Sequence, residues 1–157
     1  MTPHQDVKVS LLIELLGGVS KLAKLCKLTK SSVSLWKETG ISRGYCEFLR
    51  TLRPSTHEMW EMSIALHDSP SFEKTIENPM LVLIKSHKTI KELAGKIGKN
   101  PSTVRSWVDR QCIPAKYSLE PAIVSAIGYY YELPIPVIIG AWYIKRETDL
   151  CNLAPHR

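Results

Sequence analysis

Two stretches of the chain, "SKLAKLCKLTKSSVSLWKETGIS" (Ser20–Ser42) and "KELAGKIGKNPSTVRSWVDRQCIP" (Lys91–Pro114), carry one pattern under different surface letters. Shifting the sequence by 71 residues lays Leu22 on Leu93, Ala23 on Ala94, Cys26 on Ile97, Thr29 on Asn100, Val33 on Val104 and Trp36 on Trp107, without a gap. Upstream, Leu12 and Ile13 fall on Leu83 and Ile84; one further residue downstream brings Ile41 onto Ile113 and Tyr45 onto Tyr117. A repeat of this regularity predicts two similar modules in tandem.

Each module reads as a run of short helices. Leu22, Ala23 and Cys26 share one helical face, and Thr29 is placed to cap a following helix whose inner face is Val33 and Trp36. In the second copy Thr89 and Glu92 make a capping-box pattern, Gly98 is a stop, and Asn100 caps a helix with Pro101 at its first position. "SLLIELL" is an apolar helix ended by Gly17 and Gly18.

Further helices are expected over 44–52 and 55–67, and over 117–132 and 137–146. The inward faces are Met59, Met62 and Leu66 in the first half and Ile138, Ile139, Trp142 and Tyr143 in the second. No stretch alternates with period two. The expected fold is therefore all-α, with two tandem helix-turn-helix domains of about five helices each: residues 1–67, an acidic linker over 68–79, and residues 80–157.

Charge follows the same division. Of 157 residues, 44% are hydrophobic and 23% charged, which suits a folded chain and excludes a disordered one. Residues 1–53 hold nine Lys/Arg against four Asp/Glu, 54–79 one against five, and 80–157 eleven against six. Two basic blocks flank an acidic bridge, and the net charge of +6 favours a polyanionic partner.

Cysteines at 26, 46, 112 and 151 form no C-x-x-C pair, and histidines at 4, 57, 67, 87 and 156 have no metal-ligand spacing. Neither a nucleophile–base–acid set nor a phosphate-cradling glycine loop is visible along the chain, so no enzyme activity, metal or cofactor is expected. "LPIPVIIGAWYI" (Leu133–Ile144) is too short and too Pro-broken to span a bilayer, and the start "MTPHQDVKVS" has no signal-peptide form. The expectation is a cytoplasmic, nucleoid-associated protein of a bacterial cell with reduced thiols and no membrane or small-molecule partner.

The pattern L-A-x-x-Φ-x-x-[T/N]-x-x-x-V-x-x-W, at Leu22–Trp36 and again at Leu93–Trp107, resembles the helix-turn-helix of the phage Cro and lambda-repressor-like superfamily. "YYYELPIPVIIGAW" is similar to the link between the last two helices of that family's five-helix domain. The resemblance implies a sequence-specific transcriptional regulator of phage or mobile-element repressor type, with a double-stranded DNA operator as partner. Family members insert the second motif helix into a major groove about 12 Å wide.

Carried over, the base-reading positions are Thr29, Lys30, Ser31 and Ser34 in the first module, and Asn100, Ser102, Thr103, Arg105 and Ser106 in the second. Lys21, Lys27, Lys37, Arg43, Lys91, Lys99 and Arg110 are placed as phosphate contacts, which set register without reading sequence. Lys27 stands where the family has a turn glycine, and Pro101 and Leu35 occupy reader positions. Two unlike readers in one chain imply a covalent pseudo-dimer on an imperfect palindrome with half-sites about 34–36 Å apart, and a homodimer would carry four. Two other readings fit the same residues. One module binds DNA while the other self-associates through aromatics such as Tyr129–Tyr131, Trp142 and Tyr143, or the chain is a protein-binding antitoxin or anti-activator that keeps the fold without an operator.

Overall fold

In a computed structural model, which describes residues 6–153, the chain is all-α, with no strand among the described residues. His4 and His156 lie outside those residues, as does the Tyr129 side chain. The first half runs α1 (Val7–Leu15), α2 (Val19–Cys26), α3 (Lys30–Thr39), α4 (Arg43–Leu52) and α5 (Pro54–Asp68). After α6 (Phe72–Thr75) come α7 (Pro79–Ser86), α8 (Ile90–Ile97), α9 (Pro101–Arg110), α10 (Pro121–Ile127) and α11 (Ile135–Leu153).

The repeat in sequence is a repeat in local structure. α2 ends at Lys27 and α8 at Gly98, both left-handed, with φ of 56° and 72°. The next amide then bonds back into the helix, Leu28 N to the Ala23 carbonyl at 2.9 Å and Lys99 N to the Ala94 carbonyl at 3.0 Å. This is the helix-ending geometry that glycine adopts most easily. Thr29 and Asn100 cap the helices that follow, accepting from Ser32 N and Ser102 N.

Below each turn sits the same core. Leu22, Ala23, Val33 and Trp36 are buried with Leu12, Ile13 and Leu49; Leu93, Ala94, Ile97, Val104 and Trp107 are buried with Met80 and Leu83. Trp36 packs on Tyr45 and Trp107 on Tyr117, each pair with ring centroids 5.3 Å apart. The small Ala in each copy lets the paired helices close on one another, and the aromatic pair wedges the second helix from beneath.

Three expectations change. The helix expected over 117–132 is broken: Ala115–Tyr117 is a short 3₁₀ helix, and α10 begins only at Pro121, whose missing N–H suits a first helical position. Met59, Met62 and Leu66 are only half-buried; α5 instead buries His57 and Ser63 and turns Trp60 and Ile64 toward α1 and α11. Segment 68–79, expected as a linker, is docked. Phe72 is buried against Trp142 with centroids 4.9 Å apart, Glu73 pairs with Lys145 at 3.1 Å, and the Asn78 amide donates to the Gln111 carbonyl at 2.7 Å.

The two halves meet along α5 and α11. Residues Ile135–Ala141 are buried on every side, as befits a helix enclosed by both halves. A further apolar cluster joins Leu11 and Leu15 of α1 to Ala115 and to Ile144 of α11. The helices approach closely at Gly140, where an added Cβ would lie 2.3 Å from the Ser63 hydroxyl oxygen and 2.9 Å from its Cβ. Ser63 is fully buried; its hydroxyl donates to the Met59 carbonyl at 2.8 Å and lies 3.2 Å from the Val137 carbonyl across the interface.

Gly140→Ala therefore forces the halves apart despite alanine's better helix propensity. Urea unfolding should show a loss of about 1–3 kcal/mol, and Ser63→Gly in the same chain should recover part of it. Lys27→Gly acts in the opposite direction: relief of the left-handed strain should raise stability by roughly 0.5–1 kcal/mol.

Candidate nucleic-acid interface

α3 and α9 each bury one apolar stripe and leave the opposite side in water. On α3 the exposed residues include Lys30, Ser31, Ser34 and Leu35, the last 51% exposed. On α9 they include Ser102 and Arg105, with Thr103 and Ser106 half-buried at the flank. The buried partners are Val33 and Trp36 in one helix and Val104 and Trp107 in the other, so the pattern that builds the core also fixes which side faces out.

Thr29 and Asn100 have a different employment. The Thr29 hydroxyl accepts from Ser32 N at 3.2 Å and meets the Ser32 hydroxyl at 2.9 Å. The Asn100 side-chain Oδ1 accepts from both the amide and the hydroxyl of Ser102, at 3.1 and 3.0 Å. Both side chains are committed to capping the start of a helix, and the outward-facing residues lie in the turns that follow.

The cations divide as well. Lys21, Lys27, Arg43, Lys91 and Arg110 are exposed and Lys37 is half-buried. Lys99 is drawn inward: its ammonium pairs with Glu120 at 2.8 Å and sits 4.3 Å over the Tyr117 ring. Among the described residues the Lys/Arg–carboxylate pairs use Arg50, Lys85, Lys99, Lys145 and Arg146, leaving Lys30 and Arg105 to solvent.

The two outward faces are unlike. α3 combines Lys30 and Lys37 with hydroxyls and one exposed leucine, and its lone acid, Glu38, lies in the last turn. The recess along α9 is lined by Ser102, Arg105, Ser106 and Arg110 but also by Asp109, whose carboxylate repels phosphate. The far end of α9 is held by α11, since Arg146 Nε donates to the Arg110 carbonyl at 2.9 Å.

Sequence reading missed the side-chain traffic between helices. Nothing in the spacing of Lys99 and Glu120 signals their pairing, because the broken segment 115–120 carries Glu120 back to α9's entrance. The chain also brings Cys46, His57 and Glu61 together from α4 and α5, a set hidden by the helix turn between them. Among the described residues no helix is long and apolar enough to cross a membrane, and no three His, Cys, Asp or Glu are grouped to hold a metal ion.

Removing either cap should unpick its helix start without touching the core. Thr29→Ala and Asn100→Ala should each lower stability by about 1 kcal/mol in denaturant unfolding.

No protein-family model, no curated protein and no solved structure matches the chain.

Proposed function

We propose that the protein is a sequence-specific, double-stranded-DNA-binding transcriptional regulator that lays α3 and α9 in major grooves. The observation that supports this most directly is the duplicated presentation of those helices. Each starts at a side-chain cap after a left-handed turn, is wedged by a Trp–Tyr pair, and turns hydroxyls and a free cation outward. Lysine or arginine donates to guanine N7 and O6, while serine and threonine bond several base edges with less selectivity.

The packing of α5 against α11 supports the covalent pseudo-dimer form of this reading. These are the last helices of the two halves, and their union holds two readers at one separation without a second chain. The second reader then engages at high effective concentration once the first is bound.

One observation favours a variant in which α3 is the principal reader and the second half supports it. Lys99 is sequestered by Glu120, and Asp109 stands among the cations of α9. Selection from random duplex DNA separates the two forms: the pseudo-dimer recovers two unlike half-sites, and the single reader recovers one.

Binding to the selected duplex should weaken with salt by ~0.9 log units per log unit for each phosphate neutralised. Lys30→Ala should cost about 1–3 kcal/mol of discrimination at the base it reads, and Arg105→Ala a like amount if α9 reads. Gel shifts at several salt concentrations check this. Specific binding that is indifferent to salt and unchanged in the doubly substituted protein would overturn the proposal.

A further inference from the structure

A three-group chain of polar side chains crosses from α4 to α5, away from the outward faces of α3 and α9. Cys46 Sγ lies 3.5 Å from His57 Nε2, and His57 Nδ1 lies 3.0 Å from a Glu61 carboxylate oxygen. Arg50 steadies that carboxylate at 3.2 Å, and the Trp60 ring meets the imidazole edge-on with centroids 5.0 Å apart. His57 is buried, at 3% exposure, whereas Cys46 is partly exposed.

The order of the groups sets the direction of the protons. An ionised carboxylate only accepts, so Nδ1 carries the hydrogen that faces Glu61. In the neutral imidazole Nε2 is then left with a lone pair, and its neighbour is the Cys46 thiol, which donates to it. A base oriented by a carboxylate and in reach of a thiol is the arrangement that activates a sulfur nucleophile.

We propose that Cys46 is a modification site, a thiol activated by His57 toward small hydroperoxides. His57 takes the thiol proton and the sulfur attacks one peroxide oxygen, breaking the O–O bond. The departing hydroxide takes the proton from the imidazolium and leaves as water. Sulfur is oxidised to a sulfenic acid and the peroxide is reduced, so thiol plus hydrogen peroxide gives sulfenic acid plus water.

The other three thiols are internal controls. Burial pushes the Cys112 thiol up to about 11 and raises that of Cys26, while Cys151 is partly exposed on α11. The full chain is treated with hydrogen peroxide at pH 7, sulfenic acid is trapped with dimedone, and the adducts are mapped by mass spectrometry. Cys46 should label at least about tenfold faster than Cys151, a small part of the 10²–10⁴ that a positioned base supplies.

Glu61→Gln keeps an exposed polar group of the same shape but lets its amide donate to Nδ1, which strips Nε2 of its lone pair. That variant and His57→Gln should both bring Cys46 down to the rate of Cys151. A loosening of the fold would do something different, exposing Cys26 and Cys112 to the reagent. Labelling of Cys46 no faster than Cys151 in the unsubstituted protein would overturn the proposal. So would an unchanged Cys46 rate in both variants while Cys26 and Cys112 stay protected. Should a variant unfold, the unsubstituted comparison decides alone.

Discussion

The crossing of α5 and α11 at Ser63 and Gly140 is the constraint on which the rest of the molecule rests. A backbone without a side chain lets the helices approach until a single hydroxyl reaches carbonyls on both. α11 can be buried around its first turns only because α5 closes one side. Leu11 and Leu15 then find Ile144 and Ala115, and Phe72 finds Trp142. A few tenths of an ångström at one contact propagate because packed interiors have no slack to absorb them.

Within each half a shorter-range logic operates. The left-handed residue, the cap and the Trp–Tyr pair act on one helix at three points, its approach, its first turn and its buried flank. Those points leave the helix little freedom to roll, so its outer side chains keep one aspect toward solvent. The halves differ in what they do with the remaining charge. Lys27 tolerates a backbone conformation that Gly98 adopts freely, and Lys99 spends its charge on Glu120 where Lys27 does not.

Features that depend on near neighbours in the chain were legible before any coordinates. Thr29, Asn100 and Thr89 cap because a short side chain reaches an amide two or three residues on, and Gly17 and Gly98 stop helices because of their own φ. The apolar stripes of α2, α3, α8 and α9 follow from helical periodicity alone. What escaped depends on partners far away in sequence. Met59, Met62 and Leu66 have helical spacing, yet the side of α5 that is buried is decided by Ser63 meeting α11, 74 residues along. The helix expected over 117–132 gives way to a 3₁₀ turn and a new start at Pro121. Ile13 and Ile84 match in the repeat, yet Ile13 is buried in the core that α1 shares with α2 and α3, while Ile84 is exposed on α7. For the outward faces, the spacing located the helices but not the pairing that withdraws Lys99.

Joining both copies in one chain has an evolutionary corollary. In a symmetric dimer of identical subunits, any exchanged residue appears twice, so an innovation that suits one half must be endured by the other. Here a change at Arg105 has no echo at Ser34, its counterpart 71 positions earlier. The seam formed by Gly140 and Ser63 binds two lineages of surface that are free to drift separately, provided neither disturbs the small residues that keep them together.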